Sequence, residues 1–192
     1  MISAILLAAG ESKRMGRPKQ LLPLGETTMV ERAIDNLLGA GVGEVIVVVG
    51  YRAPEIIKKI ASKPVKIAAN QAYQQGMSTS IIAGLKLVDE GAGAVMLALA
   101  DQPLVDSQTV SRLISEFGSH HEGIAIPTYQ GQRGHPVIFS IRYREELSRL
   151  KGDIGGRQIV SDHPDDILEV AVDSPAVVSD IDTADDYHFH LA

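Results

Sequence analysis

Residues 5–25 read ILLAAGESKRMGRPKQLLPLG. Ile5 to Ala9 is an apolar run suited to a buried strand. The ten residues after it carry Lys13, Arg14, Arg17 and Lys19 around Gly10 and Gly16, with Glu11 the sole acid. In an open parallel sheet, ligands sit outside the carboxyl ends of the strands, which is where this loop begins. Gly10 and Gly16 permit close backbone approach, and successive backbone N–H groups in such a loop can cradle phosphate oxygens. So many cations neutralise several charges at once, which points to a triphosphate. The alternative is a solvated turn whose charges serve solubility. The Walker pattern is excluded, because five residues separate Gly10 from Gly16 and RPKQ follows; the dinucleotide pattern G-x-G-x-x-G is absent as well.

Outward from this stretch, strand-like and helix-like segments alternate. Ser3–Ala9 reads as a strand, Met29–Leu38 as a helix, Glu44–Gly50 as a strand, Pro54–Ala61 as a helix and Val65–Asn70 as a strand. A helix near Ser78–Val88 and a strand at Ala94–Ala100 follow. This order implies an α/β fold of three layers, with a mostly parallel sheet covered by helices on both faces. EVIVVV and AVMLALA are apolar at nearly every position, as strands buried on both faces are. Beyond a helix near Ser107–Phe117 the pattern loosens. GIAIPTYQGQRGHPVIFS reads as two strands joined by a glycine-containing loop, followed by the charged helix RYREELSRL, the segment KGDIGGRQIVSD and the strand DILEVAV. We read the later half as an insertion and lid on one domain spanning 1–192.

Composition agrees with one compact unit: 192 residues, 45% of them hydrophobic, are enough for one well-buried core. A net charge of −6 argues against general binding to nucleic acid or membrane surfaces, so an anion site must be local. There is no cysteine, which excludes disulfides and thiolate metal sites. Neither a signal-like start nor an apolar run of the roughly 18 residues needed to cross a bilayer occurs. The expected location is the cytoplasm.

Asp101 ends the strand AVMLALA and is expected at the same sheet edge as the cationic loop, as a Mg²⁺ ligand or, alternatively, as a helix cap or loop-ordering carboxylate. SDIDTADDY offers Asp180 and Asp182 as further carboxylates, although Thr183 there also reads as a helix cap. Asn70 to Ser80 contains small polar residues with Gly76 and suits base recognition. Its alternative is a helix N-cap at Ser78 or Thr79. In GQRGHP and KGDIGGR, the residues Arg133, His135 and Arg157 suit contact with a phosphate or a ring. Gly131, Gly134, Gly155 and Gly156 would let backbone approach a flat ring system. The pairs His120–His121 and His188–His190 lack ligand partners in sequence and read as surface residues.

LLAAGESKRMGRPKQLLPLG resembles the signature of the nucleotidyltransferases of the molybdenum cofactor branch. Its Leu-Ala-Ala-Gly start, Leu7 to Gly10, is typical of the branch's cytidylyltransferases. The resemblance continues through NQAYQQGMSTSIIAGL, LADQPLV, PTYQGQRGHPVIF, KGDIGGR and DIDTADDY, in the family's order over nearly the whole chain. It implies a Rossmann-like nucleotidyltransferase (GT-A-like) fold, with residues 1–101 as the nucleotide-binding half and 102–192 as the acceptor-binding half. The implied reaction transfers CMP from CTP to the molybdenum-loaded pterin and releases pyrophosphate, with Mg²⁺ as cofactor and handover of the product to a molybdoenzyme or its chaperone.

Carried onto this chain, the family pattern gives catalysis to Arg14, Lys19 and Asp101, and the metal to Asp101 and Asp182. Nucleotide binding falls to Leu7, Ala8, Ala9, Gly10, Ser12, Arg14 and Lys19, with the base at Asn70, Gly76 and Ser78. Acceptor binding falls to Arg133, Gly134, His135 and Arg157. Ala184 stands where the family often has proline, a change that alters helix initiation more than chemistry. Two alternatives stay open. One is another nucleotidyltransferase of this fold, using GTP or a different phosphorylated acceptor. The other is a nucleotide-binding reductase or accessory protein on the same scaffold.

Overall fold

A computed structural model describes residues 1–12 and 15–189 of the chain. Strand β1 (Ile2–Ala8) is followed by a small hairpin of β2 (Pro23–Leu24) and β3 (Thr27–Thr28). Then come α1 (Met29–Gly39), β4 (Glu44–Val49), α2 (Ala53–Lys59), β5 (Lys66–Ala69), α3 (Met77–Leu85), β6 (Ala94–Leu99) and α4 (Ser107–Ser119). The later half adds β7 (Ile124–Tyr129), β8 (Gln132–Arg133), β9 (Val137–Ser140), α5 (Arg144–Ser148), α6 (Arg157–Asp162), β10 (Ile167–Ala171) and α7 (Ala184–Phe189).

The main sheet runs β10-β7-β9-β6-β1-β4-β5, with β8 attached to β7. Pairs among β1, β4, β5 and β6 are parallel, as are β7 and β10. β9 lies antiparallel between β6 and β7, so the later half continues the same sheet. Side-chain alternation explains the three layers. Ala4, Leu6 and Ala8 of β1, Val45, Val47 and Val49 of β4, and Ala94, Met96 and Ala98 of β6 pack with Val30, Ile34, Val110 and Leu113 of α1 and α4. Ile5, Ile46, Val48, Val95 and Leu97 point to the other face, where α3, α5 and α6 contribute Ile81, Leu85, Leu147 and Ile159.

The elements differ from the sequence reading chiefly where local signals are short. KGDIGGRQIVSD contains a helix, α6, whose single turn and a half is too short for a periodic signal. RYREELSRL splits into a 3₁₀ turn, Ile141–Tyr143, and the short α5. The hairpin segment carries three strands, because β8 folds back on β7 before β9 crosses to β6. Helix α1 opens with a capping box: Glu31 accepts from the Thr28 hydroxyl at 2.6 Å and from the Thr28 N–H at 2.9 Å. The Thr-x-x-Glu spacing, which sequence reading passed over, marks this cap in the sequence.

Register places the site. Leu7 pairs with Val48 on one side and Leu99 on the other, and Leu7 O accepts from Ala100 N at 3.2 Å. The loop after β1 and the residue after Ala100 therefore leave the sheet side by side. A hydrogen bond from Ile181 N to Asp101 O, at 2.9 Å, brings the approach to α7 to the same edge.

Candidate active site

At this edge the Lys19 ammonium donates to Asp101 Oδ2 at 2.6 Å and to Asp182 Oδ1 at 2.5 Å. Lys19 sits at the start of a 3₁₀ turn, Lys19–Leu21, and its side chain is 12% exposed against 23% for Asp101 and 36% for Asp182. Burial by itself would lower the Lys19 pKa; the two carboxylates outweigh it and hold the ammonium above its ordinary value. For Asp101, burial pushes the carboxyl up, Lys19 pulls it down, and the negative charges of Asp180 and Asp182 add to the upward push.

The loop that carries Lys19 is held from inside. Gln20 is 3% exposed, and its amide donates to Ala8 O at 3.2 Å and to Gly10 O at 3.0 Å. Ser12, at φ 53°, accepts from Lys19 N at 3.1 Å. These contacts satisfy backbone groups that a buried loop would otherwise strand. Arg14 and Lys13 lie outside the described residues.

Two cavities meet here. The first, of about 440 Å³, is lined by Leu7, Ala9, Gly10, Ser12, Lys19, Asp101 and Asp182, together with Gln20, Tyr73, Met77, Ser80 and Asp153. The second, of about 650 Å³, is lined by Arg133, Gly134, His135 and Arg157 over an apolar floor that includes Leu97, Ile126, Phe139 and Val160. Met77, Leu99, Asp101 and Asp153 line both.

Several residues to which the resemblance gives nucleotide binding do not line the first cavity. Ala8 packs into the core beneath α1, because alternation along β1 turns it away from the edge. Asn70, Gly76 and Ser78 are not on the wall. Asn70 is spent internally: its amide donates to Thr79 Oγ1 and Ser80 Oγ, both at 2.9 Å, and its oxygen accepts from Ala72 N at 2.9 Å. The wall on that side consists of Tyr73, Met77 and Ser80. Gly76 is the N-cap of α3, so neither Ser78 nor Thr79 has that role.

In the second cavity, Arg133 donates to Glu169 at 2.7 Å, and both side chains are about half exposed at the rim. Arg157 has no ion pair among the described residues. His135 is pushed down by burial, with Arg157 adding to the push and Asp180 opposing it, so a neutral imidazole faces the cavity. Gly134 serves the fold itself: a Cβ there would fall 2.1 Å from Val177 O, and the His135 N–H donates to that same carbonyl at 2.9 Å. Gly156 likewise abuts Phe139 and Gly155 abuts Met77, and all three glycines also line the second cavity.

Asp180 and Asp182 separate in role. Asp182 lines the first cavity against Lys19, whereas Asp180 lines the second and accepts from the Gln102 amide at 2.7 Å. Gln102, which sequence reading passed over, also donates to Val177 O at 3.4 Å and so anchors the segment that carries both acids. Thr183 caps α7 reciprocally with Asp186, beside Asp182. Among the described residues no cluster of three or more His, Asp or Glu encloses a metal position. The available donor set is the pair Asp101 and Asp182.

The family model of the MobA-like NTP transferase domain matches residues 4–177. The chain belongs to this family. It is a nucleotidyltransferase by that membership. The chain is 32% identical to the nicotine blue oxidoreductase of Paenarthrobacter nicotinovorans, over 96% of this chain and 93% of that protein. It is 29% identical to the molybdenum cofactor cytidylyltransferase of Escherichia coli K12, over 97% and 93%. Among solved structures, Rv0371c of Mycobacterium tuberculosis H37Rv superposes with a TM-score of 0.90 at 33% identity, covering 99% of this chain and 96% of that one. The same protein has been solved in complex with manganese, at TM-score 0.86 and 31% identity. This MobA-like chain is thus similar over nearly its whole length to proteins of more than one named activity. Among its described residues no helix is long and apolar enough to cross a membrane.

Proposed function

We propose that this chain transfers CMP from CTP to the phosphate of a molybdenum-loaded pterin in the cytoplasm, giving a cytosine dinucleotide and pyrophosphate. The observation that carries the reading is Lys19 held between Asp101 and Asp182 where the two cavities meet. The Leu-Ala-Ala-Gly start and the likeness to the E. coli cytidylyltransferase supply the choice of nucleotide and acceptor.

In this reaction an oxygen of the acceptor phosphate attacks the α-phosphorus in line. The new phosphorus–oxygen bond forms as the bond to the β-phosphate bridge oxygen breaks, and pyrophosphate takes the electron pair. Both substrates are anions, so the protein's task is positioning and charge neutralisation. Lys19 and Arg14 meet the triphosphate. The Gln20-braced backbone from Ala8 to Gly10 holds the floor on which the nucleotide lies. Arg157 fixes the acceptor's anion, and neutral His135 offers a hydrogen bond to its ring without adding charge. Asp101 and Asp182 fit a divalent cation such as Mg²⁺, which takes one or two carboxylates together with phosphate and water oxygens. When bound, that ion supplies neutralisation of charge on the triphosphate.

The test is pyrophosphate release by the purified protein with molybdenum-loaded pterin and Mg²⁺. Rates with CTP well above those with GTP and ATP are expected. Equal rates with all three, or release that ignores the pterin, overturn the reading. The 32% identity to an oxidoreductase favours a second reading, a nucleotide-binding reductase on this scaffold. Oxidation of a nicotinamide dinucleotide without pyrophosphate release would establish it instead.

A further inference from the structure

Helix α3 begins with a residue that offers its first turn no side-chain cap. Its N-cap is Gly76, at φ 110°, which has no side chain to accept from the first turn. The missing partners come from the acceptor-side loop more than seventy residues away. Asp153 Oδ1 accepts from Met77 N at 2.9 Å, and Gly152 O accepts from Ser78 N at 3.1 Å. The contact is tight: a Cβ on Gly76 would lie 2.5 Å from the Gly152 carbonyl carbon, and one on Gly155 would lie 2.8 Å from Met77 Sδ. The glycines at 76 and 155 are therefore what allows loop and helix end to meet, which gives the KGDIGGR glycines a role that needs no ring stacked on them.

The location gives this contact its consequence. Met77 and Asp153 line both cavities, and they do so together with Asp101. From α3, Thr79 and Ser80 are tied to Asn70, so the start of the helix also fixes the wall of the first cavity, where Ser80 lies. Asp153 belongs by sequence to the acceptor side, and its carboxylate is used on the nucleotide side.

We propose that Asp153 is a positioning residue: by capping Met77 it latches the acceptor-side loop to the first turn of α3, so that the walls of both substrate cavities are set by one contact. This rests on the two-cavity reading of the site given above. It makes the two substrates interdependent, because a loop freed from α3 leaves both walls unset.

The experiment compares Asp153→Ala with Asp153→Asn in the full chain. Asparagine retains an oxygen that can cap Met77, and as a helix cap it equals aspartate, whereas alanine removes the acceptor at a cost equivalent to about fivefold in an equilibrium. Amide exchange at Met77 and Ser78, followed by NMR without substrates, reads the latch directly. We expect faster exchange in Asp153→Ala and wild-type exchange in Asp153→Asn. In steady-state kinetics, Asp153→Ala should raise KM for CTP and for the pterin together, each about fivefold, and Asp153→Asn should restore both. Unchanged exchange in Asp153→Ala, a change in the acceptor KM alone, or an asparagine variant as impaired as alanine would each overturn the proposal. The last result would mean that the charge acts and the cap does not. If exchange responds as expected but the wild type shows no CTP-dependent pyrophosphate release, the latch stands and the proposed reaction falls.

Discussion

Lys19 and Asp182 are 163 positions apart in the chain, and Lys19 Nζ donates to Asp182 Oδ1 at 2.5 Å. The same ammonium reaches Asp101 Oδ2 at 2.6 Å, so one cation from the first loop joins two acids brought in by different parts of the sheet.

Removing that cation leaves Asp101, Asp180 and Asp182 to repel one another and, in the proposed reaction, takes a charge from the triphosphate. Lys19→Ala should lower kcat/KM by about 100- to 1,000-fold, the scale of losing one well-placed stabilising group, and excess Mg²⁺ should not restore it. Steady-state pyrophosphate release against CTP concentration measures this; unchanged kinetics would remove Lys19 from the chemistry.

Asp101→Asn keeps the shape and an oxygen for Lys19 but loses the charge. Turnover should fall by at least about 100-fold with the far-UV circular dichroism unchanged, because a divalent cation needs the carboxylate. A folded variant that keeps most of its activity would refute a metal role.

Arg133 and Arg157 both border the second cavity, but among the described residues Arg133 alone of the two has an ion pair, with Glu169 at 2.7 Å. Arg157→Ala should raise the acceptor KM about tenfold, with little change in the KM for CTP. Arg133→Ala should change either by no more than about twofold, as exposed ion pairs contribute little. The reverse ranking would show that the Arg133 pair opens to receive the substrate.

Gly134→Ala forces a Cβ to within 2.1 Å of Val177 O, a backbone atom that cannot rotate aside. Overpacking of this kind costs about 1–3 kcal/mol, so Tm should drop by about 3 to 10 °C in a chain of this size. The segment from Val177 to Asp182 should shift with it and lower kcat. Gly118→Ala in α4, where a Cβ meets nothing within 4 Å, is the control and should leave Tm equal or raised.

Acid should destabilise the fold through three carboxyls. Burial works against the charged form of each, yet partners hold all three below their ordinary values: the Thr28 hydroxyl and N–H for Glu31, the Asp89 N–H with Lys66 and Ser3 for Glu44, and the Tyr143 hydroxyl with Arg142 for Asp166. The unfolded chain thus binds protons at higher pH than the folded one. Their contribution is complete above the ordinary carboxyl range, about pH 4, and is lost as pH falls through the lowered folded values. Thermal melts should show Asp166→Asn less stable than wild type at pH 7 and the two curves converging toward pH 3; a constant gap would exclude Asp166 as a contributor.

The sequence alone determined the alternation of strands and helices from β1 to α4, whereas the short elements β2, β3, β8 and α6 were not legible in it. Near-continuous apolarity in β1, β4 and β6 is a local property of the chain, and burial on both faces follows from it. It also determined that Asp101 and the cationic loop would share an edge, because both follow buried parallel strands. It did not determine which groups would pair. That Glu169 takes Arg133 and leaves Arg157, that Asp180 turns toward Gln102 while Asp182 turns toward Lys19, and that Asp153 caps a distant helix are all contacts between remote segments, and even the nearby turn of the Asn70 amide onto Thr79 and Ser80 has no periodic signal. They are fixed by the sheet order, with β9 inserted antiparallel between β6 and β7, and by glycines at 76 and 134 that let backbones touch. Only tertiary structure decides these, because local periodicity constrains which face a side chain takes and says nothing about the partner that packing brings to it.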